Sequence, residues 1–559
     1  MPKEYLKLKQ VNCKHCYRCI RNCPVKAISF AHEQAHIVED ECILCGRCFV
    51  NCPQNAKEIR NDLPDAKRLI ASGVPVYASV APSFVANYPG TTIESMEKAL
   101  KALGFAGAGE TARGATQIKK LYDEMVNEGT QQVIIASCCH SLTMLLQRYY
   151  PQALPYLAKL ASPMQAHCQE LKKQYPSCHT VFIGPCVSKK AEIAQYPGAV
   201  DVVLTFEELS NWLTEADVKL EPGVDSRDEG KARFFPVPGG ILRSMDCANP
   251  DYDYISVDGI DNCIKAIKGI VSGNLSKCFV EMSICTGSCI GGPIIGKAHH
   301  YPIRDHIAVA SYAGKRDFSV DMPPIEELTR QFSASPCLRV NISDSAIREV
   351  LAKIGKTKPE HELNCGSCGY NSCREKAEAV ILGKAELEMC LPFLKEKAES
   401  FSESIFNNTP NGIIVLNESL VVQQLNQAAC DILNLRNKEA LLGSQIVRVL
   451  DPDVFVEVIQ SKKNIYDRRV CLVEYKRYVQ QTVLFDANYR IFILIMRDVT
   501  KDETTREQND AMRRKTAAIT SEVIAKQMRV VQEIASLLGE TTAETKIALT
   551  RLKESLQLE

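Results

Sequence analysis

The sequence predicts a multidomain chain, α+β at its start and α/β through its middle, with further small domains behind. Three observations carry that reading. Cysteine blocks of fixed spacing open the chain and return near residue 370; apolar strand-like runs alternate with amphipathic helical patterns from 63 to 345; and composition shifts near 346, 399 and 501. A length of 559 residues suits roughly three to five domains. Lys+Arg and Asp+Glu both count 67, so no global field attracts nucleic acid or an anionic membrane. The first residues, Met1-Pro-Lys-Glu-Tyr-Leu6, hold no apolar signal-peptide core, and no apolar run reaches the roughly 20 residues of a membrane span. Twenty-five cysteines without an export signal point to a reducing cytoplasm and an oxygen-poor cell.

The first element covers 1–62. Cys13-Lys-His-Cys16-Tyr-Arg-Cys19-Ile-Arg-Asn-Cys23-Pro24 repeats as Cys42-Ile-Leu-Cys45-Gly-Arg-Cys48-Phe-Val-Asn-Cys52-Pro53. A thiolate triplet at this spacing holds one [4Fe–4S] cube, and the fourth cysteine, ahead of a proline, ligates the other cluster. Cys13, Cys16, Cys19 and Cys52 are therefore assigned to one cluster, and Cys42, Cys45, Cys48 and Cys23 to the second. Disulfides or zinc sites are the alternative, and two tandem copies with both Cys-Pro pairs count against it. The segment resembles a 2[4Fe–4S] ferredoxin, a carrier of electrons.

The second element covers 63–345. Val74–Val80, Gln132–Ala136 and Thr180–Gly184 read as buried strands, with helices over Ile93–Leu103 and Gln117–Val126. Such alternation predicts largely parallel sheets. Each strand runs into a loop of reactive residues: Ala81-Pro82-Ser83, Ser137-Cys138-Cys139 and Pro185-Cys186. The carboxyl ends of parallel strands are where such sheets bind ligands.

Beyond it, 346–398 carries Cys365-Gly-Ser-Cys368-Gly-Tyr-Asn-Ser-Cys373 and then Cys390-Leu-Pro392. These four cysteines suit a further [4Fe–4S] cluster with its last ligand on a helix end, and zinc is the alternative. Residues 399–500 resemble a PAS domain, with strands at Asn411–Leu416, Tyr475–Phe485 and Ile491–Asp498 and a helix opening at Leu425–Cys430. No motif specifies a ligand for its pocket, and Cys430 reads as a buried structural thiol. Residues 501–559 are helical. Val523, Val530 and Leu537 repeat at seven, as do Ile524, Val531 and Leu538. Leu549, Leu552 and Leu556 follow a break at Gly539, and Thr541 with Glu544 forms a capping box. Such a stripe predicts dimerisation or partner docking, the alternative being a helix folded back on the preceding domain.

Three segments of 63–345 bear on chemistry: Ala136-Ser-Cys138-Cys139-His140, Gly184-Pro185-Cys186-Val-Ser188-Lys189-Lys-Ala-Glu192, and Glu281-Met-Ser283-Ile-Cys285-Thr-Gly-Ser-Cys289-Ile-Gly291-Gly292. In order and spacing they resemble the signature motifs of [FeFe] hydrogenases, with supporting likeness at Tyr149-Tyr150-Pro151, Ser162-Pro163, Gln165 and Asp201–Leu209. The resemblance spans residues 1 to about 300. It implies an H-cluster, a [4Fe–4S] cube joined to a diiron subsite with CO, CN and dithiolate ligands. Cys139, Cys186, Cys285 and Cys289 would ligate the cube, with Cys289 bridging to the diiron subsite. Lys189 would hydrogen-bond a cyanide ligand, with Glu192 as its carboxylate partner and Pro185 and Ser188 shaping the loop. Pro82 and Ser83 would touch the diiron ligands, and Cys138 would pass a proton to the bridgehead amine.

This chain departs from the family at Gly184 and Ser283, where methionines are usual, and at His140 and Leu142, where proline and tryptophan are usual. The third motif ends at Pro293 without the usual third glycine and glutamine. Lys119 and Lys120 stand near the place expected of proton-relaying carboxylates. Glycine at 184 is expected to open space at the diiron site, serine at 283 to change the tuning around the cofactor, and missing relay acids to slow proton delivery. His140 is a candidate local proton donor by its ordinary pKa. Cys168, Cys178, Cys247, Cys263, Cys278, Cys337, Cys430 and Cys471 are scattered singly and read as mostly core thiols. The domain order resembles sensory [FeFe] hydrogenases. That likeness implies slow H2 oxidation or proton reduction, electron passage through the [4Fe–4S] clusters, and output through the PAS domain and tail to a signalling phosphatase or kinase. It also implies maturation proteins, a ferredoxin or other electron carrier, and a homodimer through PAS and tail. The alternatives are a metabolic ferredoxin-linked hydrogenase and a non-catalytic iron–sulfur scaffold.

Overall fold

In the computed structural model, which describes residues 4–9, 12–223, 228–246, 249–298, 301–337, 341–538 and 543–555, the N-terminal segment repeats one backbone twice. Left-handed residues fall at His15 and Leu44, at Tyr17 and Gly46, and at Lys26 and Asn55, each pair 29 positions apart. Positive φ lets the chain double back and aim successive thiols inward. Short helices, Arg18–Asn22 and Arg47–Val50, follow Tyr17 and Gly46. The N–H groups of Ala27 and Ala56 each lie 3.3 Å from the sulfur of Cys23 and of Cys52. Strands Leu6–Leu8 and Lys57–Ile59 pair antiparallel, beside a hairpin of Ile28–Ala31 and Gln34–Ile37.

Two parallel sheets form the middle of the chain. One has the order Gly107–Glu110, Val76–Val80, His179–Gly184, Val202–Thr205; the other has Asp253–Asp258, Cys278–Ser283, Val133–Ile135. In register, Tyr77 lies beside Gly107, Ala78 beside Val181 and Phe279 beside Ile134. The reactive loops leave the carboxyl ends of Val76–Val80, His179–Gly184, Val133–Ile135 and Cys278–Ser283, so strand ends of both sheets supply the site. Buried charges tie the N-terminal segment to this body. Lys190 Nζ lies 3.0 Å from Asp62 and 2.9 Å from Glu208, and Arg60 Nε lies 2.6 Å from Asp62. Such a network persists only because each charge is paired.

Helices Asp344–Lys353 and Cys373–Ile381 belong to the next segment. It shares a core with the N-terminus: Ile20, Phe30, Phe49, Val80, Leu145, Tyr370 and Met389 form one continuous apolar cluster. The unit Met1–Leu394 thus contains all the cysteine blocks, and Lys395–Glu559 is a second unit. The second unit is built on an antiparallel sheet ordered Val422–Leu425, Gly412–Asn417, Ile491–Asp498, Arg477–Asp486, Ile465–Leu472. Asn426 organises one end: its side chain accepts from Ile413 N at 2.8 Å and Ala429 N at 2.9 Å, and donates to Phe406 O and Asn411 O at 2.8 Å. Cys430 lies in the core with Phe455 and Phe492, as a structural thiol should.

A 39-residue helix, Thr500–Leu538, follows the sheet, roughly 58 Å long at 1.5 Å per residue. Asp498 accepts from Thr500 N at 2.9 Å and also pairs with Arg477, so the helix starts where the last strand ends. Of the predicted stripe, Val523 and Val530 are exposed and Ile524 and Val531 half-buried, and Met512, Ile519 and Ile534 on the same helix are exposed as well. The stripe is therefore not folded back on the sheet, although the Ala543–Ser555 helix returns along part of the long one. The expected Thr541 cap, Gly539, Leu556 and Cys247 lie outside the described residues. Among the described residues no helix is long and apolar enough to cross a membrane.

Candidate iron–sulfur and hydrogen-activating site

Cys13, Cys16, Cys19 and Cys52 line one cavity, with Tyr17, Phe30 and Lys57. The second set is more deeply buried. Burial pushes Cys42 up to about 11 and Cys45 up to about 12, with Cys23 adding to both, and carries Cys48 well above its ordinary value. Thiols so placed become thiolates only when bound irons supply the compensating charge.

The middle domain assembles a third set. Cys139 caps the His140–Tyr149 helix, Cys186 follows the His179–Gly184 strand, and Cys285 and Cys289 follow Cys278–Ser283. Burial raises Cys139, Cys285 and Cys289, and the charges of their partners in this four-thiol set push the same way. Cys289 keeps an accessible face within this protein-enclosed site. Among the described residues no three His, Cys, Asp or Glu side chains close on one metal ion. Cluster ligands stand wider than that, because each binds a different iron. Two buried hydroxyls, Ser83 Oγ and Ser288 Oγ, have no protein partner among the described residues. Four converging thiols and orphaned donors fit a multi-iron group carrying acceptor ligands.

Lys189 Nζ lies 2.5 Å from Glu192 Oε2 and 3.2 Å from Cys138 O, and Glu192 Oε1 accepts from Ser162 Oγ at 2.5 Å. Burial opposes both charges most strongly, but each offsets it for the other: Lys189 is raised and Glu192 lowered. Cys138 is pushed up to about 12 by burial, so it stays a thiol, 3.3 Å from Tyr122 Oη. Glu281 is lifted to about 7 by burial, although it accepts N–H bonds from Gly239, Ile241 and Leu242 at 2.9–3.2 Å. Sequence reading gave Tyr122 and Glu281 no role. Tyr122 carried no signal, while Glu281 stood inside the third motif.

Some expectations change. Gly184 does not open space: a Cβ there would fall 2.6 Å from the Phe182 ring and 3.2 Å from Ala81 Cβ. The ring two residues back along the strand fills the volume. His140 is no charged donor near neutrality, because burial lowers it to about 4, and its Nε2 has no partner among the described residues. Lys119 is wholly buried between Asp246, Asp317 at 2.7 Å and Asp123 at 3.7 Å. Of the scattered cysteines, Cys168, Cys178, Cys263, Cys278 and Cys430 are buried, Cys337 is half-buried and Cys471 is exposed. In the last block, Lys376 sits among Cys368, Cys373 and Cys390; burial lowers it while the three thiols oppose that. Cys365 is exposed, its sulfur 3.3 Å from Ser367 Oγ.

Fold and site thus define a multi-cluster iron–sulfur protein whose α/β core surrounds a four-thiol pocket. Residues 74–293 match the family described as "Iron only hydrogenase large subunit, C-terminal domain", 5–69 a "4Fe-4S dicluster domain", 362–392 a "Putative Fe-S cluster" and 400–499 the "PAS fold". Residues 74–293 thus carry an [FeFe] hydrogenase large-subunit domain, accompanied in the chain by a dicluster segment, a further Fe–S segment and a PAS domain. It is 24% identical over 298 residues to Iron hydrogenase 1 of Clostridium pasteurianum, covering 43% of this chain and 51% of that protein. It is 26% identical over 153 residues to the cytosolic Fe-S cluster assembly factor NAR1 of Kluyveromyces lactis, covering 24% of this chain and 32% of that one. The chain therefore spans about half or less of these relatives' lengths. Among solved structures, a variant of the [FeFe]-hydrogenase HydA1 from Chlamydomonas reinhardtii aligns at 17% identity and TM-score 0.39, covering 50% of this chain and all of that one. The PAS domain of an HTR-like protein from Haloarcula marismortui aligns at 23% identity and TM-score 0.16, covering 19% of this chain and 94% of that one.

Proposed function

We propose that this protein is a sensory [FeFe] hydrogenase, which oxidises H2 or reduces protons slowly and reports the result through its clusters, PAS domain and helical tail. The observation that carries the reading is the buried Lys189–Glu192 pair beside the four thiols, held by Ser162. A bare cube has no cyanide for an ammonium to hold, and Glu192 and Cys138 O take two of the three Lys189 N–H donors, which leaves the third for such a ligand. Cys139, Cys186, Cys285 and Cys289 would hold the cofactor, with Pro82, Ser83, Gly184 and Ser283 around its diiron end. Bound there, the H-cluster supplies the diiron centre on which hydrogen is split or formed. The chain's own residues handle protons and charge. Cys138 Sγ holds a proton, and Tyr122 Oη at 3.3 Å is its hydrogen-bonded neighbour. Glu281, poised near neutrality, can hold or release another.

Slow turnover is supported by Lys119, a cation locked among three carboxylates on the helix where relay acids were expected. Output is supported by the exposed stripe from Met512 to Ile534, which suits a homodimer or a signalling phosphatase or kinase. Coupling requires that the partner bind the two redox states with different free energies. The ferredoxin-type pair would exchange electrons with a soluble carrier, and maturation proteins would supply the diiron subsite. The test is an infrared spectrum of matured protein with and without hydrogen, joined to partner binding under hydrogen and under argon. Carbonyl and cyanide bands that respond to hydrogen, with hydrogen-dependent binding, are expected. Absent bands would leave the scaffold reading, high dye-linked activity the metabolic one, and identical binding under both gases would end the sensory one.

A further inference from the structure

Tyr17 and Gly46 occupy the same place in the two N-terminal repeats, and at each of them another cysteine-bearing segment sits down. A Cβ on Gly46 would stand 2.5 Å from Pro293 Cβ, at the end of the Cys285–Cys289 loop. A Cβ on Gly369 would stand 3.1 Å from Tyr17 O and 3.0 Å from Ile20 Cβ. Gly369, at φ +91°, follows Cys368 directly. Around that contact Arg21 Nε donates to Gly366 O at 3.3 Å and Arg21 Nη2 to Ser367 O at 3.2 Å. Lys26 Nζ donates to Gly369 O at 3.0 Å and to Ile20 O at 3.3 Å. Further along, Lys384 Nζ lies 2.5 Å from Glu41, and Phe30 N donates to Lys384 O at 2.7 Å.

The Arg18–Asn22 helix that receives this loop carries Cys19 and is capped by Cys23, ligands assigned to different clusters. Four residues of helix separate them by about 6 Å. The loop bearing Cys368 therefore meets the seam between both N-terminal clusters.

We propose that the Cys365–Cys390 segment is a branch of the electron path, seated on the Arg18–Asn22 helix by Arg21, Lys26 and Gly369 so that its cluster exchanges electrons with the N-terminal pair. This deepens the proposed function and rests on its assignment of clusters to these cysteines. Each exchange moves one electron from a reduced N-terminal [4Fe–4S] cluster to the oxidised third cluster, with no bond made or broken. Arg21, Lys26 and Gly369 are positioning residues. The electron comes from hydrogen in the working protein and from dithionite in the test.

The test is low-temperature electron paramagnetic resonance of the full chain, reconstituted with iron and sulfide and reduced by dithionite. Wild type should show spin–spin broadening between the third cluster and the N-terminal pair. Arg21→Ala/Lys26→Ala and, separately, Gly369→Val should abolish that broadening at unchanged iron content and slow reduction of the third cluster roughly tenfold or more. If Gly369→Val fails to fold, the double variant, which trims two side chains, decides. A wild-type spectrum that is the plain sum of isolated clusters would overturn the proposal. So would broadening that survives in a variant whose 366–370 amides exchange faster. Dithionite reduction needs no response to hydrogen, so failure here is separable from failure of the sensory reading.

Discussion

The two N-terminal repeats have one backbone and two environments. Tyr17 and Gly46 share a left-handed conformation 29 positions apart, yet Cys16 is exposed where Cys45 is half-buried, and Cys19 is half-buried where Cys48 is buried. The first repeat keeps a face to solvent and receives the Cys368 loop; the second presses on the end of the Cys285–Cys289 loop through Gly46 and Pro293. On the electron path proposed above, burial and neighbours, rather than ligand spacing, separate a port from a conduit.

The sharpest way to break that contrast is Gly46→Val. A side chain there meets Pro293 and an unfavourable φ, costing roughly 2–5 kcal/mol in strain and overpacking. Hydrogen should then fail to reduce the N-terminal clusters while dithionite still does, as read by electron paramagnetic resonance; undiminished reduction by hydrogen would remove the conduit. Alkylation of metal-free protein at pH 8 is the next test. Cys16 should be modified roughly 100-fold faster than Cys45 or Cys48, because the buried thiols resist ionisation, and peptide mapping that finds equal rates would erase the distinction.

A parallel contrast holds between two buried carboxylates of the site, Glu192 lowered by Lys189 and Glu281 raised by burial. For Glu281 the folded state binds the proton more tightly than the unfolded chain. Its contribution is full below the ordinary carboxyl range and is lost as pH rises toward about 7, a change of roughly 3 kcal/mol. Denaturant melts from pH 4.5 to 8 should show that slope in wild type and lose it in Glu281→Gln. Next in size is Lys57→Met. This buried ammonium donates to Ala35 O at 2.8 Å, and its charge offsets part of the burial that raises Cys19 and Cys48. Its loss should move both cluster potentials negative by on the order of 50–100 mV, and a redox titration that finds no shift contradicts it. Smallest is Arg47→Ala. It removes an exposed pair with Asp261 at 3.1 Å at the rim of the Gly46 contact, and should cost under about 1 kcal/mol in a thermal melt.

Much of this molecule was legible in its sequence because ligand chemistry and strand burial are local. Cys13 to Cys52 and the strands before Ser83, Cys138 and Cys186 needed only spacing and apolar runs. The strand Ile465–Leu472 was missed because it alternates weakly and lies half in water. Gly184 misled because a residue's volume is set by its neighbours, here Phe182. The docking of Arg21 on Gly366 joins residues 345 apart, and no local pattern reports such a meeting.

The continuous core from Ile20 through Val80 to Met389 has a consequence for damage. Segments that share one core are coupled, because loosening one removes apolar contacts from its neighbours. Packing lost around Tyr370 or Met389 would therefore be felt at Val80, the end of the strand that leads into Pro82 and Ser83.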